Sequence, residues 1–163
     1  MTAGFVVPPQ PVTWRGHARL EKYYADDDLA RATPYEVIEA DNLLLTAGAT
    51  LVLNRLAGIS STAIDATNGR MCVGDGTAAV SAGQTDLQGT NKLRKVFDAV
   101  PVVSTNTLQA VTTFLTTEAN FAWQEAGLAN SASGATLVNR FLQSFGTKTS
   151  ALQWILTQTV TLS

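Results

Sequence analysis

Apolar and polar positions alternate with period two through most of the chain after Gly58. The alternation is cleanest over Ala151–Leu162. There Trp154, Leu156, Val160 and Leu162 fall on one side, and Ile155, Thr157, Thr159 and Thr161 on the other. Thr107–Thr117 repeats the pattern with Leu108, Ala110, Thr112 and Phe114 on one face. Arg70–Gly74 predicts a short strand ended by the turn pair Asp75–Gly76. Lys92–Val103 predicts another strand, with Pro101 marking an edge or bulge because it lacks a backbone donor. Phe121–Leu128 and Ala135–Phe145 form a hairpin pair across Asn130–Gly134, and Thr77–Thr90 reads as a long loop of small polar residues.

Before Gly58 the period changes. From Asp41 to Gly58, Leu44, Ala47, Leu51 and Arg55 follow one helical stripe, which Leu45, Val52 and Leu56 widen to most of the cylinder. This predicts a helix buried on more than one side, capped by Asp41 or Asn42 and closed by Gly58 in a left-handed conformation. Trp14–Asp41 shows neither period cleanly. It reads as short strands or a short helix around a loop at Asp26–Asp28, with a strand over Tyr35–Glu39. Met1–Val12 carries Pro8, Pro9 and Pro11 beside Val6 and Val7, the composition of an extended arm. An untethered chain end has a similar composition; Val6 and Val7 favour an arm docked on a neighbour.

The expected fold is mainly β with one buried α-helix: an antiparallel β-sandwich or small barrel with an extended N-terminal arm. Its parts are the arm (1–13), a charge-rich docking segment (14–40) and a helix plus antiparallel β-domain (41–163). Without helix-length crossovers between strands, local pairing through hairpins and meanders is the default.

Charge changes the picture most. From Pro101 to Ser163 the ionised side chains are Glu118, Glu125, Arg140 and Lys148, while twelve threonines occupy positions that soluble domains often give to Lys and Glu. Charged residues make up 15% of the 163, against roughly 25% in typical soluble domains. A threonine-rich, sparsely charged sheet is easier to bury against other copies or a larger assembly than to keep alone in water. The net charge of -2 argues against a general nucleic-acid binder. No apolar run reaches the roughly 18 residues of a membrane span, and Met1–Gln10 lacks the pattern of a secretory signal, so synthesis in the cytoplasm is expected. One cysteine excludes an intrachain disulfide.

Candidate chemistry is thin. His17 and Cys72 are the sole residues of their types, and nothing local brings them together as nucleophile and base. His17 reads as a surface or interface residue and Cys72 as a small buried apolar group. Asp26–Asp28 lacks the ligand spacing of a calcium loop and reads as a solvated turn. Gly74-Asp75-Gly76-Thr77 resembles a phosphate loop without the lysine and following helix such loops need. Glu118 and Glu125 invite a hydrolase reading, but their seven-residue spacing does not require them to converge. Glu125 has a ready partner in Arg140 across the hairpin, which makes a structural salt bridge. No catalytic, metal or cofactor site is expected. The candidate assembly residues are Val6, Val7, Pro8, Pro9, Trp14, Tyr23 and Tyr24.

Several segments, taken in order, resemble a group of tailed-bacteriophage virion proteins. They are Asn54-Arg55-Leu56-Ala57-Gly58, Met71-Cys72-Val73-Gly74-Asp75-Gly76, Gln84–Gln88, Ala119–Leu128, Gly134–Arg140 and Gly146–Thr149. They span about Asn42 to Ser163, with no counterpart over Met1–Ala40. The resemblance implies a small β-rich module without enzymatic activity: a capsid decoration, cement or minor capsid protein on the virion surface. Its implied partners are the major capsid protein and further copies of itself, as a homotrimer. A minor tail, fibre or baseplate component is the alternative it implies.

Overall fold

The computed structural model describes residues 13–134 and 137–163. Ten strands and one helix follow in order: β1 (Trp14–Tyr24), β2 (Glu36–Asp41), β3 (Leu43–Leu44), α1 (Thr46–Leu56), β4 (Arg70–Gly74), β5 (Lys92–Val96), β6 (Val102–Ser104), β7 (Thr107–Phe114), β8 (Ala122–Ala129), β9 (Asn139–Thr147) and β10 (Leu152–Leu162). They build two five-stranded antiparallel sheets, ordered β2-β1-β10-β7-β6 and β3-β9-β8-β4-β5. The sheets face each other as a β-sandwich.

One core joins them. The first sheet contributes Leu20, Phe114, Trp154 and Leu156, and the second Met71, Trp123, Phe141 and Phe145. Trp123 lies at the centre, edge-on to Phe114 at 4.7 Å and to Trp154 at 4.8 Å between ring centroids. β10 has the predicted alternation: Trp154, Leu156 and Val160 are buried, while the intervening threonines look outward.

Pairing is less local than hairpin logic suggests. β1 pairs along its whole length with β10, Trp14 opposite Leu162 and Tyr24 opposite Leu152, so the two ends of the described chain share the middle of one sheet. β1 is also one long strand rather than short pieces. Its inward positions are Gly16, Ala18, Leu20 and Lys22, and only one of these is a large apolar residue. Lys22 sits inside because its ammonium bonds Glu36 at 2.8 Å and lies 4.8 Å from the centroid of the Trp154 ring.

The run Lys92–Val103 is divided between the sheets. β5 ends at Val96, and the segment through Pro101 carries the chain across to β6. Of the expected strand Ala135–Phe145, Ala135 and Thr136 lie outside the described residues; β9 runs from Asn139 to Thr147.

The helix differs most from expectation. It starts at Thr46, not near Asp41, because Asp41 ends β2 and Leu43–Leu44 pairs with β9. Leu45 occupies the N-cap position without a side-chain bond. The C-terminus is as expected: Gly58 has φ of 70°, and Ile59 N–H reaches Asn54 O at 2.8 Å while Gly58 N–H reaches Arg55 O at 3.3 Å. The helix is not buried, however. Gly48 alone among its residues is buried, and Leu56 is 80% exposed. Gly48 packs against Val138, just before β9, so closely that a Cβ there would overlap Val138 O. The helix therefore touches the sandwich at its first turns, and its last turns run free with their leucines uncovered.

Candidate assembly surface

Two features of the sandwich bear on function, a third layer pinned by a buried ion pair and an open apolar end. The third layer covers the outer face of the second sheet. Bulging of β8 between Trp123 and Glu125 resets its alternation, so Trp123 and Ala126 point into the main core while Glu125 points the other way. The loop between β4 and β5 folds over that outer face, where Leu87 joins Leu45, Cys72, Ala129 and Leu137 in a second small core.

Glu125 pins this loop. Its Oε1 accepts from Gly76 N–H (3.2 Å), Gln88 N–H (2.9 Å) and Gly89 N–H (2.7 Å), and its Oε2 accepts from Arg140 Nε at 2.6 Å. Both ionised side chains are fully buried. Arg140 Nη1 continues to Ala78 O at 2.9 Å and Gln84 Oε1 at 3.1 Å. Gly76 from the glycine-rich turn and Gln88–Gly89 from the other end of the loop together do what phosphate loops do, turning backbone N–H groups toward an anion, but the anion is the chain's own carboxylate. A Cβ on Gly76 would overlap Glu125 Oε1 and Gly89 N, which accounts for glycine there. Asp86 and Arg94 hold the far side of the loop at 2.6 Å. Burial pushes the Asp86 carboxyl up, but the Arg94 guanidinium and the Leu87 N–H outweigh it and hold it below the ordinary carboxylate range.

The remaining candidate chemistry is dispersed. Glu118 is bound by Lys95 Nζ and by Leu115 N–H at 2.8 Å, and shares no bonded partner with Glu125. Cys72 is buried, and burial pushes its thiol up to about 12. His17 Nδ1 lies 3.3 Å from Asp41 Oδ1 on the surface. Asp27 and Asp28 accept from Tyr24 N–H and Ala30 N–H, as turn carboxylates do. Among the described residues no group of three or more His, Cys, Asp or Glu is placed to hold a metal ion. No described helix is long and apolar enough to cross a membrane.

The open end lies where β1 begins and β10 finishes. Between α1 and the β6–β7 hairpin the two sheets leave an apolar groove of about 390 Å³. Leu51, Val52 and Leu56 of α1 form one wall, Val103, Leu108 and Leu162 the other, and Leu128 and Val138 also line it. Among the described residues Arg55 is the one ionisable residue on its lining. Beside the groove the surface stays apolar: Leu53, Ile59, Val100 and Val102 are all more than half exposed.

Charge is distributed unevenly across the adjoining sheet. β6, β7 and β10 contain no Asp, Glu, Lys or Arg. On the outer face Thr157, Thr159 and Thr161 lie beside Val111, Gln109 and Thr107 of β7, with Thr107 and Thr161 hydroxyls 2.9 Å apart. The ionised residues crowd onto β1 and β2, where Arg19 pairs with Glu21 and Glu39. One half of the sheet is charged in the ordinary way; the strands of the other carry no ionisable side chain, and the Asp98 carboxylate meets them at Thr113, accepting from its N–H at 2.8 Å and its hydroxyl at 2.7 Å.

Of the residues singled out from sequence, Trp14 lines the groove. Tyr24 is exposed and stacked on Tyr35 at 4.7 Å. Tyr23 is 4% exposed and lies on the face of β1 opposite Leu20 and Lys22, covered by this chain but in neither core cluster. Val6, Val7, Pro8 and Pro9 lie outside the described residues. The helical leucines, Ile59 and the valines around Pro101 were missed as surface residues. Their apolar runs are the kind that cores contain, and only the tertiary arrangement leaves them uncovered.

The fold class is thus a two-sheet antiparallel β-sandwich with one peripheral helix. No protein-family model, curated protein or solved structure matches the chain.

Proposed function

We propose that the chain is a non-enzymatic structural module of a virus particle, most specifically a capsid decoration or cement protein that binds the shell of a tailed bacteriophage. The observation that carries this reading is the set of strands β10, β7 and β6, none of which contains a charged residue, adjoining an apolar groove and exposed leucines and valines. Surface of that kind is costly to leave in water and gains when neighbours cover it. The motif order described above gives the reading its biological setting. On a symmetric shell, many modest contacts repeated over identical sites resist outward pressure without any single strong one. The pinned third layer suits the same task, since a buried ion pair bonded to backbone groups at both ends of the loop stiffens a segment that would otherwise yield. A homotrimer on a local three-fold axis is the oligomer that this setting favours.

A tail, fibre or baseplate position is the second reading, favoured by the exposed Tyr24–Tyr35 stack, an aromatic pair of the kind that contacts partners. Immunogold labelling of intact particles separates the two. Label distributed over the shell supports the decoration reading, and label confined to the tail supports the second. Particles without label overturn both.

A further inference from the structure

The apolar groove has no occupant among the described residues, and its chemistry restricts what could fill it. A small-molecule site ordinarily sets a few convergent polar groups within an apolar lining. Here Arg55 and Asn106 are the strongly polar side chains on the lining, and most of the rest is aliphatic or Trp14. The surface therefore suits an uncharged, apolar stretch of polypeptide.

One such stretch belongs to this chain and leaves the described region at the groove itself. Thr13 is paired through its backbone with Ser163, immediately before Trp14, which lines the groove. The twelve preceding residues, Met1-Thr-Ala-Gly-Phe-Val-Val-Pro-Pro-Gln-Pro-Val12, contain no charged side chain, and Phe5, Val6 and Val7 form their apolar centre. Between that centre and Thr13 stand Pro8, Pro9, Gln10, Pro11 and Val12. Five residues in polyproline geometry span about 16 Å and resist doubling back. A proline-rich spacer of that composition favours reach to the groove of another molecule over return to the one beside its own Trp14.

We infer that the groove between α1 and the β6–β7 hairpin receives the Phe5–Val7 segment of a second copy of this chain. The exchange rests on the assembling part of the functional reading but needs no shell. Each copy gives an arm and accepts one, so the contact is reciprocal in a dimer or passes head to tail around a ring. It covers Leu56 and Val103, which are 80% and 70% exposed in the single chain.

Site-directed cross-linking of the full-length chain tests this. A Val6→Cys chain is mixed with a Leu56→Cys chain and treated with a short bismaleimide; buried Cys72 stays inert. The expected product is a covalent heterodimer at twice the chain mass of 17.3 kDa. A Val6→Cys/Leu56→Cys double variant should then give multimers rather than a closed monomer. Arg31→Cys, at an exposed site in the charge-rich region, should not couple to Val6→Cys. Leu56→Glu with Val103→Lys should remove self-association by sedimentation while leaving the far-ultraviolet circular dichroism unchanged. Cross-links confined within one chain, equal coupling at Arg31, or no product at Leu56 would overturn the inference. None of these outcomes would alter the labelling of intact particles, so the two proposals fail separately.

Discussion

Replacing Glu125 by glutamine should loosen the loop between β4 and β5 and cost a large part of the fold's stability. The carboxylate accepts from three backbone N–H groups and from the Arg140 guanidinium, all in a fully buried site. Glutamine keeps one acceptor oxygen but sets an NH₂ donor against donors, and leaves the Arg140 charge buried without a counter-charge. Removing one member of a buried ion pair typically costs about 3–5 kcal/mol. Domains of this kind have about 5–15 kcal/mol in total. At roughly 2–4 °C per kcal/mol for a chain of this length, the melting temperature should fall by on the order of 10 °C. Urea titration measures the free energy, and limited proteolysis reports where the change falls: cleavage should appear first within 77–91. A variant within about 0.5 kcal/mol of the parent, with an uncut loop, would refute the view that Glu125 anchors this layer.

Two other perturbations have defined outcomes. Gly76→Ala should destabilise by about 1–3 kcal/mol in urea titration, because its methyl displaces the carboxylate and Gly89 from each other; a neutral result would mean that the loop can shift freely. Lys148 is buried, bonded to Leu115 O at 2.6 Å and Asn120 Oδ1 at 3.2 Å, and burial pushes its ammonium down to about 8. Between that value and the ordinary lysine pKa near 10.4 the unfolded chain binds more protons, so the Lys148 contribution to stability rises with pH across this window. Urea titrations from pH 7.5 to 9.5 should show the parent gaining about 1–2 kcal/mol relative to Lys148→Met, and parallel curves would contradict the assignment.

How much of this was legible in the sequence depended on whether a residue's neighbours were other side chains. β10 could be read because Trp154, Leu156 and Val160 alternate with threonine, and a two-residue period survives any tertiary context. β1 hid the same period behind Gly16, Ala18 and a lysine whose head group is satisfied by Glu36. The helix was visible but its burial was not: leucines on most of a cylinder mark a core helix as readily as one whose far turns await a partner. Glu125 and Arg140 could be matched across a hairpin. The loop they secure could not, because the backbone N–H groups of Gly76, Gln88 and Gly89 carry no side-chain signature. The groove was also out of reach, since its walls come from α1, β1, β6, β7 and β10, elements up to more than a hundred residues apart.

Copy number per particle bears most directly on the central claim that this sandwich is a repeated structural part of a virus shell. Quantitative mass spectrometry of purified virions, scaled to the major capsid protein, should give hundreds of copies in a fixed ratio to the shell subunit. A handful of copies per particle, or none, would contradict it.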